Sequence, residues 1–274
     1  MSRILFLFVA IFLSGCSSIQ IVYNNADWLI RSDLQELLDV EGPAEKRLRS
    51  ALADYLALHR REILPLYAYY LRSIALDLQK PSPLSEVAVR GHIEEALNLY
   101  DRTVEPMIAP TVQFLLSLSD LELNRFQENL AKDHLKKVNQ KPRDQADRFQ
   151  SRLEFFTGSL TEPQEQLVKA YVSPWGDERR KAWLEFRESQ QAKLISQLKA
   201  RAPESDISAW MRVWAIQPSE HRGTQYKIEL LQQRNELVKF LTVFLASLTS
   251  AQKTKAVNRL LNLSQDFVEL SQES

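Results

Sequence analysis

From Leu48 onward, apolar residues recur three or four positions apart: Leu48, Leu52, Tyr55, Ile63, Leu66, Tyr70 and Ile74, with His59 dividing the single gap of eight. That spacing puts one apolar stripe on a helix about 36 residues long. Gly42-Pro43 marks its start, with proline at the first helical position. Pro65 lies inside the pattern and predicts a kink or break near residue 64. Before this stretch, Asn24 or Asn25 can cap a first helix carrying Trp28, Leu29, Leu34, Leu37 and Leu38. After it, Leu84-Ser85 opens a helix with Val89, Ile93, Leu97 and Tyr100 on one side, and Pro106 and Pro110 predict interruptions.

The later part of the chain reads as helices over 142–157, 161–172, 177–200, 206–216, 224–247 and 249–270. The stripe Leu230, Leu237, Leu241, Phe244, Leu248 and the residues Val257, Leu260, Leu261, Phe267 and Val268 suggest an antiparallel hairpin of the last two helices. Three helix starts share one phrase: Leu118-Ser119-x-x-Glu122, Leu160-Thr161-x-x-Gln164 and Leu248-Thr249-x-x-Gln252. This is the capping box, in which the hydroxyl and the carboxyl or amide side chain satisfy free amide groups of the first turn. With Ser205 as a fourth cap, the starts are spaced by about 43 residues, the length of a helical-pair repeat. No stretch alternates with period two between hairpin turns. The expected fold is all-α: a bundle or elongated array of about nine to eleven helices.

The first residues carry a different signal. Arg3 is followed by an apolar run from Ile4 to Leu13, and then by Leu13-Ser14-Gly15-Cys16. The run is shorter than the roughly 20 residues that span a bilayer. A basic start, a short apolar run and small residues before a cut describe a secretory signal. Leu-Ser-Gly-Cys resembles the bacterial lipobox, in which the cysteine is lipidated after cleavage. Residues 1–15 are thus expected to be a signal peptide, 16–23 a lipidated tether and 24–274 the helical domain. Cys16 is the only cysteine of the 274 residues. Lipidation accounts for an otherwise unpaired thiol in an exported chain. Acyl chains such as palmitate on Cys16 anchor strongly, since each buried methylene contributes about 0.8 kcal/mol. Ser17, where an aspartate is absent, resembles the outer-membrane sorting pattern of Gram-negative lipoproteins, with the body facing the periplasm.

Charge is balanced, with 35 basic and 35 acidic residues. Together with export, this excludes a nucleic-acid partner. The 6 glycines form no phosphate-binding loop. The 4 histidines, His59, His92, His134 and His221, have no metal-ligand spacing. No catalytic or metal-binding residue and no cofactor are assigned. His59-Arg60-Arg61-Glu62 is the most suggestive cluster, either an acid–base pair or a partly buried histidine joined to Glu62 or to a neighbouring helix. Trp210 and Trp214, one turn apart, either fill the core or line a groove for a polypeptide or an acyl chain. Trp28 completes the candidate partner surface. The basic stretch from His134 to Arg143 suits a helix end or an anionic headgroup.

The lipobox, Tyr23-Asn24-x-x-Asp27-Trp28-Leu29, and a long helix with His59-Arg60-Arg61-Glu62-x-Leu64-Pro65 resemble a family of uncharacterised proteobacterial lipoproteins carrying a domain of unknown function. The resemblance covers nearly the whole mature chain and implies no activity. The phrases Leu160–Gln164 and Leu248–Gln252 are also similar to the short motif of periplasmic stress chaperones of the Spy and CpxP type. The expected role is non-enzymatic: binding an envelope protein as a chaperone or assembly factor. The alternatives are a lipid- or lipopolysaccharide-binding protein and a cell-wall hydrolase.

Overall fold

The computed structural model describes residues 17–140, 145–174 and 176–273. The expected signal peptide, Cys16, part of the basic stretch and Trp175 lie outside them. Every element among the described residues is helical. In chain order these are α1 (Ser17–Asn24), α2 (Ala26–Leu38), α3 (Gly42–Leu58), a π turn (His59–Ile63), α4 (Leu64–Gln79), α5 (Glu86–Leu116) and α6 (Asp120–Asn139). There follow α7 (Gln145–Thr157), α8 (Glu162–Val172), α9 (Asp177–Lys199), α10 (Glu204–Ile216), α11 (Pro218–Ala246) and α12 (Ser250–Gln272). No helix among the described residues is long and apolar enough to cross a membrane.

Ser17–Asn24, which covers most of the expected tether, is helical. Ile19 and Tyr23 are buried, and Gln20 and Asn24 bond to Asp266 and Glu269 of α12 and to Glu273 at its C-terminal cap. Side-chain anchoring on α12 thus orders residues whose local sequence carries little helix signal.

Pro65 acts as its chemistry predicts. It has no N–H for the carbonyl of Arg61, and the helix takes up the mismatch as a π turn, in which the Leu64 N–H donates to the His59 carbonyl five residues back. Pro106 and Pro110 behave differently from expectation. α5 runs through both without a break. Ile108, Val112, Phe114 and Leu115 around them are buried in the main core. Burying each such side chain contributes about 1.5–3 kcal/mol, which offsets the roughly 3 kcal/mol that each interior proline costs.

The main core joins α2, α3, α5, α6, α9 and α10 through Leu38, Leu48, Val112, Leu123, Leu198 and Ile207, among others. A second cluster is built by α4 and α12 around Ala75, Leu78, Val257 and Leu260. A third joins Val168 of α8 to Phe240 and Phe244 of α11. The expected pairing of the last two helices is corrected here. The principal partner of α12 is α4, whereas α11 packs on α5, α8 and α10. The apolar stripe of α12 matches α4 as well as it matches α11, and helical periodicity cannot choose between them.

The capping boxes at Ser119, Thr161 and Thr249 form. Ser205 is not a fourth cap: Pro203 precedes the first turn of α10, and the Ser205 hydroxyl donates to Asp206. The 43-residue spacing therefore has no common structural element. Gly223, at φ 80 and ψ 179, breaks α11 after its first turns, a conformation that side chains disfavour.

Candidate functional site

The π turn organises the region of most chemical interest. His59 is 5 % exposed and lies on the inner side of the turn. Its Nδ1 shares a hydrogen bond of 2.8 Å with the Tyr23 hydroxyl of α1. The rings of Tyr23, Tyr55 and Tyr67 surround it at centroid distances of 5.8, 5.8 and 5.9 Å. Burial among these rings lowers its pKa to about 4, so the imidazole is neutral at pH 7. Burial likewise raises the Tyr23 hydroxyl to about 12. Tyr67 donates to the Thr103 hydroxyl at 2.5 Å, and Tyr55 donates to the Thr103 carbonyl at 3.0 Å. Arg60 reaches the other way, to the Leu270 carbonyl, Glu273 and the Asn24 side chain, with its guanidinium over the Tyr23 ring. One turn thereby ties together α1, α3, α4, α5 and α12.

His59 and Glu62 do not form a pair. Glu62 is exposed, bonds Arg61 at 2.8 Å and faces a cleft on the outer side of the turn. The cleft, of about 670 Å³, lies between the π turn, α5 and the end of α10. Leu58, Leu66, Pro106 and Ile216 give it apolar walls; Glu62, Asp101, Glu105, Arg102 and Arg212 supply its charge. Arg212 clamps both oxygens of Glu105, at 3.0 Å each from Nε. Asp101 has no hydrogen-bond or ion-pair partner among the described residues, and partial burial and the nearby Glu105 carboxylate raise its pKa. Leu58 and Pro106 also line a second hollow of about 480 Å³ between α3 and α5, which continues past Asp54 and Pro110. The two form one groove, of a size that accommodates a ligand.

The tryptophans separate. Trp210 is 6 % exposed, its indole N–H donates to Gln190 at 3.2 Å, and it stacks on the half-buried Trp214 at 5.7 Å. Trp210 belongs to the main core, and Trp214 packs against it. Trp28 is 61 % exposed on α2. His92 bonds Asp77 at 2.9 Å, and His134 faces Glu188 at 3.5 Å. Among the described residues no group of three His, Cys, Asp or Glu side chains could hold a metal ion.

A second polar site joins two helix starts. Gln164 and Gln252, at the third helical position of α8 and α12, exchange amide hydrogen bonds of 3.0 and 2.9 Å. Each carbonyl oxygen also accepts the N–H of its own cap, Thr161 at 2.9 Å and Thr249 at 3.0 Å. Each amide nitrogen also donates to the residue that precedes the other phrase, the carbonyl of Ser247 at 3.1 Å and that of Ser159 at 2.9 Å. The two Ser-Leu-Thr-x-x-Gln phrases thus face one another with approximate twofold symmetry. The cleft beside Glu62 was not legible in the sequence. The only local signal for it was two prolines inside one apolar stripe, a combination that marks a helix forced through by its packing.

A family model for a family of unknown function, DUF6279, matches residues 36–213. That span contains the π turn and every cleft residue as far as Arg212. No curated protein and no solved structure matches the chain.

Proposed function

The chain belongs to the DUF6279 family, whose function is unknown, and we propose that it is an outer-membrane lipoprotein, held by lipid on Cys16 and facing the periplasm, that binds another envelope protein without catalysing a reaction. The observation that carries this reading is the open groove between α3, α5 and α10, with apolar walls and charged rims. A mixed surface of this kind suits a polypeptide, which brings apolar and polar groups in alternation. The imidazole nearest the groove is sealed behind the π turn and neutral, so it is poorly placed to exchange protons with a bound molecule. The likeness of Leu160–Gln164 and Leu248–Gln252 to the phrases of Spy-type chaperones favours a chaperone or assembly factor within this class.

The test is site-specific photo-crosslinking in intact cells. With benzoylphenylalanine replacing Leu66 in the groove, a discrete adduct with one envelope protein is expected; the same residue replacing Lys239 on α11 should give none. Equal labelling from both positions, or no adduct from position 66, would overturn the proposal. So would recovery of the adduct in the cytoplasmic fraction.

A further inference from the structure

The groove carries an excess of hydrogen-bond acceptors, and this identifies a class of occupant. Pro106 and Pro110 have no N–H, so the carbonyls of Arg102 and Pro106 lack the donor that a helix supplies four residues on. A helical carbonyl points toward residue i+4, and here both of those residues, Pro106 and Pro110, line the groove. Arg102, Pro106 and Pro110 all line the groove, so the two carbonyls lie on the helix face that borders it, about one turn apart. Beside them lies Asp101, half-buried and without a partner among the described residues. Asp54 adds negative charge along the α3 side, while Glu62 is paired with Arg61. Of the groove's cations, Arg212 is spent on Glu105 and Arg47 on the hydroxyl and carbonyl of Ser117. Only Arg102 is left without such a bond among the described residues, and it is exposed at the rim.

We propose that the groove takes an extended polypeptide segment of the partner, with backbone N–H groups on the carbonyls of Arg102 and Pro106, apolar side chains on Leu58, Leu66 and Ile216, and a lysine or arginine against Asp101. The proposal rests on the reading of the protein as a polypeptide binder and names what it binds. Free acceptors select a donor-rich ligand, and a backbone N–H together with an ammonium or guanidinium group supplies both kinds of donor. A cation at Asp101 gains from its unpaired carboxylate, which is partly shielded from water. A lipid acyl chain would leave the two carbonyls unmet, and an anionic headgroup would face Asp101.

The experiment uses purified lipidated protein in detergent and three fluorescein-labelled octapeptides, read by fluorescence anisotropy at low salt. The first contains two leucines and two arginines. The second has glutamates for the arginines. The third keeps the arginines but is N-methylated along its backbone. The first is expected to bind, with the second and third weaker by about fivefold or more. Asp101→Asn should weaken the arginine peptide about fivefold and leave the glutamate peptide no weaker. Pro106→Ala restores an N–H for the Arg102 carbonyl and should shrink the difference between the first and third peptides. Circular dichroism of both variants verifies that they remain folded. Equal binding of the arginine and glutamate peptides, or an unchanged affinity in Asp101→Asn, would overturn the proposal. Absence of binding by any peptide, with the crosslinked adduct at position 66 retained, would overturn this ligand class and leave the broader reading standing.

Discussion

Gln164 and Gln252, 88 residues apart in the chain, donate to one another across the junction of α8 and α12, and each also closes its own helix start. Gln164 is 1 % exposed and Gln252 is 7 % exposed. Removing either side chain leaves the other amide partly unpaired in the interior, which costs about 1–3 kcal/mol. Gln164→Ala and Gln252→Ala should each lower stability by about that amount in urea unfolding. The double variant should cost less than the sum of the two, because the second truncation no longer strands a partner. Strict additivity would show that the reciprocal bonds contribute nothing.

His59 predicts an acid-dependent loss of stability. Its folded pKa of about 4 lies below its ordinary value of 6.5. The stabilisation from burying it neutral is therefore complete above pH 6.5 and is lost as pH falls through that value toward 4. NMR titration should find the imidazole neutral at pH 6. Tyr23→Phe deletes the partner of Nδ1 and should cost about 1 kcal/mol, measured by denaturant unfolding at pH 7.5. His59→Gln should be less stable than the parent at pH 7.5, with a flatter decline toward acid.

Asp266 has the opposite sign. It is buried on α12; Oδ1 accepts from Gln20 at 3.3 Å, and Oδ2 has no partner among the described residues. Burial, reinforced by Glu269, raises its pKa from 3.8 to about 6. Its favourable contribution is thus full below pH 3.8 and lost as pH rises through 6. Asp266→Asn should raise the melting temperature at pH 7.5 and give no gain at pH 4. In the parent protein the Asp266 and His59 effects oppose one another between pH 4 and 6.

The proposed anchor at Cys16 and the exposed apolar residues of α1 and α2 can be tested separately. Palmitate labelling in cells should vanish in Cys16→Ser and persist in Trp28→Ala. Trp28 and Ile21 are 61 % and 63 % exposed, respectively. Trp28→Ala should change folding stability by no more than about 0.5 kcal/mol. It should also reduce binding of the unlipidated mature chain to anionic vesicles in a sedimentation assay. Unchanged vesicle binding would show that Trp28 makes no contact with the membrane.

Local physics made much of the fold legible. Helix starts at Ser119, Thr161 and Thr249 depend on residues within one turn of each cap, so their phrases could be read directly. The interruption of the helix near residue 64 follows from a missing N–H at Pro65; its form as a π turn is seen only in the structure. The all-helical class follows from apolar spacing, which is likewise local. Where the reading went astray, distant contacts outweighed local preference. α5 passes through Pro106 and Pro110 because its flanking side chains are buried in the main core. α1 is ordered by α12. Of the two places open to Trp210, core or groove, the packing of α10 on α5 and α9 selects the core.

The sequence by itself determined that the described chain is helical, where most helices begin, and which faces are apolar, because each depends on residues a few positions apart. Only the tertiary structure decided that α12 lies on α4, that His59 meets Tyr23, and that Gln164 finds Gln252. It also decided that α3, α5 and α10 leave a groove beside Asp101. An apolar stripe specifies that it must be covered but not by which partner, since burial is non-directional and many pairings hide the same area. The groove is what remains open once that choice is made.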